Sequence, residues 1–317
     1  MTPRWTGFAA PFRWLLAAVD VGRHQPGLLL GAVASVVALE VGPGLLAQTG
    51  GPASPITIGL MQALGLLIAL FVAPVFKAGV YAVIEGGEQG RDMDASVLLA
   101  GFRDGRYPAL VGVTLLSLLL FLLIGLVMLL TAVLGGLAAD LPAIGQWLQQ
   151  MQALQAEAGG GAAVPPDRLP TAPDALAGMV LLMLAFSPLL LIAGLASAWA
   201  LIGVALRGLR PLAALLGALR AALLNAPALL LFVMVLFLPA LLLGGLFGLL
   251  LGGIGALAGL AGAFVGQMLT ALLLLGFSVL VTAVLYGFFW QGFRAACDVE
   301  ASPGNAPTPP PHDHFEA

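Results

Sequence analysis

Long apolar runs separated by short polar stretches dominate the chain, and their lengths predict its secondary structure. Each run is long enough for a helix to cross about 30 Å of hydrocarbon at about 1.5 Å per residue. The six runs lie at about 26–47, 56–76, 108–134, 176–205, 227–251 and 265–289. The glycine-rich stretch 252–266 fits a tight turn, a re-entrant segment or the end of a long helix. The pattern therefore predicts an all-α fold, a polytopic membrane bundle of six transmembrane helices.

Composition and the segments outside the runs complete this organisation. Of the 317 residues, 61% are hydrophobic and 9% are charged, whereas a soluble domain carries about a quarter charged residues. Residues 1–25 form an amphipathic segment that lacks the continuous apolar core of a signal peptide, so we expect the protein to retain them. We divide the chain into this cytoplasmic segment, a transmembrane domain at 26–289 with an external loop at about 135–175, and a disordered cytoplasmic tail at 290–317.

The distribution of basic residues predicts the orientation. With six spans both termini share one side, and only Arg168 falls on the other. The basic residues on the shared side are Arg4, Arg13, Arg23, Lys77, Arg91, Arg103, Arg106, Arg207, Arg210, Arg220 and Arg294. Basic residues near span ends favour the cytoplasm, so we predict that both termini are cytoplasmic.

A threefold unit is visible once this orientation is assigned. The three spans that leave the cytoplasm begin with proline, in QPGLLL, YPALVG and APALLL, and each follows an arginine-bearing stretch with amphipathic character. This predicts three units, each of a surface helix, an outgoing span and a returning span. The alternative is that proline suits any helix start and that the arginines only obey the positive-inside rule.

The stretch RGLRPLAALLGALRAALL, residues 207–224, has the clearest amphipathic pattern. On a helix its leucines share a stripe about 100° wide, while Arg207 and Arg210 lie opposite and Arg220 flanks the stripe. Such helices lie at membrane surfaces, and a basic side chain near an anionic leaflet is worth about 1 kcal/mol. The candidate contacts with lipid or a partner protein are Arg13, Arg103, Arg106, Arg207, Arg210 and Arg220. In the alternative interpretation these arginines only set the topology.

Glu40, in VVALEVGPGLL, is the only carboxylate inside a predicted span. It lies about 21 Å along the helix from Pro26, where an ionised acid is costly. One interpretation is a proton or cation site beside a helix loosened by Pro43 and Gly44; the other is a protonated or snorkelling glutamate near the outer surface. Lys77 is placed at the cytoplasmic end of the second span, where lysine ordinarily snorkels.

Signatures of enzymes and bound cofactors are absent from the sequence. The three histidines lie in the end segments, and the single cysteine, Cys297, has no histidine near it. The sequence contains no phosphate-binding loop, nucleophile elbow, zinc-protease motif or dinucleotide fingerprint. We therefore expect a protein without catalytic residues, cofactor or metal. Ten acidic residues share the arginine-bearing face, which argues against nucleic-acid binding.

Residues 73–106 carry a family resemblance. Pro74, Gly79, the turn Glu85-Gly86-Gly87-Glu88 and Gly101-Phe102-Arg103 resemble an uncharacterised six-span family of bacterial inner-membrane proteins. More distantly the chain looks like the membrane domain of some glycerophosphodiester phosphodiesterases, although it has no soluble catalytic domain. The resemblance implies a multi-pass protein of the bacterial inner membrane and brings no catalytic residues.

Two functions remain open at this stage. The leading one is a non-enzymatic membrane protein that organises lipid or partner proteins at its cytoplasmic face. The alternative is a transporter or permease-like protein for a small or amphipathic molecule, which needs a cavity lined by Glu40, Gln62, Ser187 or Gln267. The expected partners are the bilayer with its anionic lipids, a cytoplasmic protein, or a second copy of the chain. Gly244, Gly248 and Gly252 recur at a spacing of four, which lets a helix of the same chain or of another copy approach closely.

Overall fold

The computed structural model describes residues 1–49, 55–157, 168–259 and 262–297, and all secondary structure in these ranges is helical. The α-helices are α1 Ala10–Val19, α2 Pro26–Thr49, α3 Pro55–Leu67, α4 Ala73–Glu88, α5 Ala100–Arg103, α6 Tyr107–Leu134, α7 Leu141–Glu157, α8 Asp174–Arg207, α9 Pro211–Leu224, α10 Ala226–Gly259 and α11 Ala263–Ala296. The predicted all-α fold is therefore confirmed.

Six helical stretches are long and apolar enough to span a membrane, as the sequence predicts. They are Pro26–Gly44, Gly59–Glu88, Tyr107–Leu134, Ala175–Arg207, Ala226–Gly255 and Met268–Ala296. The chain is thus an integral, multi-pass membrane protein by the length and composition of its helices. Between the last two, α10 continues to Gly259 and α11 starts at Ala263, so the end of one helix and the start of the next account for most of the described part of 252–266.

The second span differs most from the prediction, because its helix continues to Glu88 instead of ending near Phe76. A π-helix, Ile68–Val72, joins α3 to α4, and the Ala73 N–H donates to the Ile68 carbonyl. Pro74 follows directly and has no N–H for the Leu70 carbonyl, so the wider π turn accommodates a break in the α pattern. Lys77 consequently lies inside the span.

Residues 1–114 and 195–317 form one compact unit, described here as far as residue 297. Within this unit, hydrogen bonds and an ion pair join the chain near six helix ends. We call this region the arginine end; the helix ends are Pro26, Glu88, Tyr107, Arg207, Ala226 and Ala296. For example, the Arg4 N–H donates to the Ala296 carbonyl at 3.0 Å, and the Trp199 indole N–H donates to the Phe289 carbonyl at 3.0 Å. Both ends of the described chain therefore meet, which agrees with an even number of spans.

The core of this unit combines aromatic and small side chains with valine, isoleucine and leucine. Trp14 of α1 packs edge-on against Trp199 and Phe288, with ring centroids 6.1 and 5.8 Å away. At Gly79 of α4 an added Cβ would lie 2.5 Å from the Leu98 Cα, so only glycine permits this approach. Small residues let helix backbones come close, and this contact gives packing where the hydrophobic effect between membrane helices is weak.

Residues 115–194 form the second compact unit, which includes α7 and adjoining parts of α6 and α8. The Trp147 indole N–H donates to the Pro170 carbonyl at 3.1 Å, which ties α7 to the segment that precedes α8. Inside α8, Pro188 cannot donate to the Leu184 carbonyl, and the Ser187 hydroxyl donates to it instead at 2.8 Å. The Ser187 hydroxyl thus satisfies the carbonyl that Pro188 leaves without a backbone donor.

Candidate functional site

An ion pair joins the first two spans. The Lys77 Nζ of α4 lies 2.5 Å from the Glu40 Oε1 of α2, and the two side chains are 34% and 38% exposed. Glu40 lies about 21 Å along its helix from Pro26, and Lys77 about 16 Å from Glu88. The expectation that Lys77 snorkels at the end of the span is therefore replaced by a pairing within it. Glu40 also has the charged neighbour that the sequence pattern does not reveal.

Two tyrosines extend this polar group towards the core. Tyr81 follows Lys77 by one helical turn, and its ring packs edge-on against that of Tyr286 on α11 at 5.1 Å. Tyr286 is within electrostatic range of Glu40, and both tyrosines are buried. We call Glu40, Lys77, Tyr81 and Tyr286 the span cluster. It brings α2, α4 and α11 together around groups of opposite charge and two hydroxyls.

The chemistry of the span cluster follows from its charge balance. An isolated charge inside a bilayer costs at least about 2.5 kcal/mol, whereas a pair is neutral as a whole and is therefore better tolerated. While paired, Glu40 and Lys77 hold the first two spans together. When separated, they would offer a carboxylate to a cation and an ammonium to an anion. The partial exposure of both side chains leaves the pair accessible from outside the core.

At the arginine end, α9 has two opposed faces. Its alanine face is buried and packs against the bundle, with Ala214, Ala218 and Ala221 having no exposed area. The leucines of the predicted stripe mostly point outward: Leu212, Leu216 and Leu223 are exposed, and only Leu215 is buried. Arg210 and Arg220 are exposed as well. The helix is therefore amphipathic, but its leucine side faces the surroundings instead of the protein.

The structure divides the candidate arginines into two groups. Arg207 pairs with Glu85, with its Nη1 2.7 Å from the Glu85 Oε1, and the Arg106 guanidinium donates to the Ala205 carbonyl near the end of α8. These contacts position helices within the chain. The remaining candidates present exposed side chains; they are Arg13, Arg103, Arg210 and Arg220.

Polar residues just before the first, third and fifth spans bind other parts of the chain. Gln25 exchanges two hydrogen bonds with the backbone of Met93, at 3.3 and 3.1 Å. Buried Asn225 accepts from the Thr6 N–H at 3.0 Å and donates to the Arg4 carbonyl at 2.8 Å. Together with the hydrogen bond from Arg106 to the Ala205 carbonyl, these are three contacts made by residues just before the first, third and fifth spans, and we call them clamps. The sequence analysis did not identify Gln25 and Asn225 as contact residues. The available signal was their position just before the prolines that begin two of the spans.

Each clamp joins one of the three predicted repeat units to the next, and the third joins back to the first. Gln25 of the first unit binds the segment before the second surface stretch, and Arg106 of the second unit binds the end of the helix before α9. Asn225 of the third unit binds the segment before α1. General rules for proline and arginine placement do not require these equivalent contacts, which favours the repeat over the alternative.

A cleft lies where α1 turns into α2. It has a volume of about 270 Å³ and is bounded by the turn at residues 20–23, the first turns of α2, and α11. Asp20 and Arg23 line its polar part, while Leu29, Leu280 and Val284 line its apolar part. We call it the elbow cleft. Gly22 forms the bend with a φ of 84°, and a Cβ there would overlap the Leu29 side chain.

Three other residues are predicted to line a transport path. Gln62 is exposed on α3, the Ser187 hydroxyl is used within α8, and the side chain of Gln267 lies outside the described residues. Among the described residues, no group of three or more His, Cys, Asp or Glu side chains is placed to hold a metal ion. No family model, curated protein or solved structure matches the chain.

Proposed function

We propose that this protein is a non-enzymatic membrane protein that organises anionic lipid or partner proteins through the arginine end, on the cytoplasmic side of a bacterial inner membrane. The observation that carries the proposal is the arrangement of α9, whose alanine face is buried while its leucines, Arg210 and Arg220 are exposed. The family resemblance noted for residues 73–106 and the positive-inside rule support the location and the cytoplasmic termini.

The arrangement of α9 suits the boundary between lipid tails and headgroups. A helix held at this boundary inserts its apolar side chains among the upper acyl chains and presents basic side chains to lipid phosphates. Leu212, Leu216 and Leu223 supply the apolar contact, and Arg210 and Arg220 the basic groups. Because the alanine face is fixed to the bundle, binding does not have to order the helix first.

A charge-matched comparison tests this proposal. The protein is purified in mild detergent, exchanged into vesicles of known composition, and the phosphatidylglycerol that it retains is counted by native mass spectrometry. Two lost basic contacts of about 1 kcal/mol each should weaken retention about 30-fold in R210Q/R220Q. R91Q/R168Q removes the same charge from exposed positions elsewhere and should retain lipid like wild type. Equal retention by R210Q/R220Q and wild type would overturn the proposal.

The span cluster favours a second candidate, a transporter for a small or amphipathic molecule. A paired carboxylate and ammonium within the spans, next to a π-helix and a proline, is the kind of element that can bind a charged substrate and change conformation. This candidate predicts that the pair separates during a transport cycle. Flux into vesicles that stops in Glu40→Gln, with lipid retention unchanged, would support it over the first proposal.

A further inference from the structure

We propose that the elbow cleft binds a phospholipid whose headgroup carries both a phosphate and an ammonium group. The proposal rests on the proposed function, since it assigns a specific lipid class to the arginine end. It concerns a different location from α9, and phosphatidylethanolamine is the simplest lipid with this chemistry.

The position and lining of the elbow cleft favour a lipid over a soluble ligand. Leu30 and Leu280 are exposed where they border the cleft, so the cleft opens on the outer apolar surface of the helices. Its polar part lies at the turn just before Pro26, where the first span begins. One side of the cleft thus meets acyl chains and the other lies at headgroup level.

The polar part carries one charge of each sign. Asp20 and Arg23 are three residues apart on the turn, which the Arg23 N–H closes by donating to the Asp20 carbonyl at 3.3 Å. No ion pair or hydrogen bond joins either side chain to another of the described residues. Arg23 suits a lipid phosphate, and Asp20 suits an ammonium group. A purely anionic headgroup would meet Arg23 but would be repelled by Asp20.

The cleft volume limits what it can hold. About 270 Å³ is just below the range of pockets that enclose whole small molecules, roughly 300–1,000 Å³. A headgroup with the first part of one acyl chain matches this size, and the rest of the lipid extends along α11. The bend at Gly22 places the two charged residues beside the apolar wall formed by Leu29 and Val284.

A competition between two lipids tests the proposal. The full chain is placed in vesicles that contain equal amounts of phosphatidylethanolamine and phosphatidylglycerol, extracted in mild detergent, and analysed by native mass spectrometry for the lipids that remain bound. Wild type should retain one phosphatidylethanolamine at least fivefold more often than the vesicle composition predicts. Asp20→Asn should abolish this preference without reducing phosphatidylglycerol, and Arg23→Gln should reduce occupancy of the site by either lipid.

Control variants separate this inference from the proposed function. Asp92→Asn removes an exposed carboxylate outside the cleft and should keep the preference for phosphatidylethanolamine. R210Q/R220Q should lose phosphatidylglycerol and also keep this preference. If wild type shows no preference, or if Asp20→Asn keeps it, the elbow cleft does not select the ammonium headgroup. That result leaves the α9 proposal intact, which fails only if R210Q/R220Q retains phosphatidylglycerol like wild type.

Discussion

The two ends of α11 contrast sharply although both are apolar. Near the arginine end, Trp290, Phe293 and Ala296 are buried against α1 and α8, whereas Leu272, Leu274 and Leu280 farther along the helix are exposed. The helix α10 shows the same change, from buried Ala228 and Leu229 to a series of exposed leucines. Hydropathy is high throughout, so it does not distinguish a residue that packs on protein from one that faces the surroundings.

The difference lies in the kind of side chain that each end uses. Packing at the arginine end depends on small residues, aromatic rings and polar clamps, whereas the exposed stretches consist mainly of leucine. Leucine contacts lipid tails as favourably as it contacts another leucine, so leucine content alone gives little preference for helix association. The arginine end should therefore hold most of the specific stability.

The largest effect is expected at Asn225. In Asn225→Leu, the Thr6 N–H and the Arg4 carbonyl lose their buried partner, and leaving such groups unsatisfied costs about 1–3 kcal/mol each. We expect unfolding in detergent to become easier by about 3 kcal/mol, measured by denaturant titration. Ser278→Ala is the control, because this exposed hydroxyl donates only to Leu274 of its own helix. Equal stability of the two variants would show that the Asn225 contacts do not stabilise the protein more than an ordinary surface hydrogen bond.

A matched pair of glycine substitutions gives the next effect. Gly79→Ala places a Cβ against the backbone of Leu98 and should destabilise the protein by about 2 kcal/mol through overpacking. Gly248→Ala meets no atom within 4 Å, so it should be neutral or stabilise α10 by up to about 1 kcal/mol. Thermal unfolding of both variants decides the comparison. A destabilising Gly248→Ala would instead indicate contact with a second copy, which the spacing of Gly244, Gly248 and Gly252 permits.

The ion pair should have a smaller effect, because both side chains are about a third exposed. A double-mutant cycle with Glu40→Gln and Lys77→Met should give a coupling energy of about 1 kcal/mol in denaturant unfolding. Glu40→Gln with Gln62→Leu serves as the control cycle and should show no coupling. If Glu40 and Lys77 also behave additively, the pair does not hold the first two spans together.

The smallest effect concerns pH and the 3₁₀-helix Ala95–Leu99 before α5, which Asp94 caps. Asp94 accepts hydrogen bonds from Ser96, mainly through the serine side chain, and these lower the pKa of the Asp94 carboxyl below its ordinary value of 3.8. A lowered pKa in the folded state stabilises this helix at pH values above 3.8, and this contribution is lost as the pH falls through the folded-state pKa. The protection factor of the Ser96 amide, which compares its exchange rate with the intrinsic rate at the same pH, should therefore fall only in acid. Asp94→Asn should remove this pH dependence of the protection factor.

The sequence predicted the fold class, the number of spans and the existence of α1 and α9, because these depend on run length and helical periodicity. It did not predict which face of α9 is buried, since an amphipathic pattern does not indicate whether leucine meets protein or lipid. The partner of Glu40 was also missed. Lys77 appeared to follow the second span, whereas the π-helix at 68–72 lets the helix continue past Pro74 and brings the two side chains together.

We predict that the arginine end is cytoplasmic and that the α7 segment is external, and cysteine labelling in cells measures this. Single cysteines replace Ala213 on α9 or Gln150 on α7, both exposed, in a C297S chain. A membrane-impermeant maleimide should label position 150 in cells whose inner membrane is intact and position 213 only after that membrane is permeabilised. Labelling of both positions in intact cells would contradict a cytoplasmic arginine end.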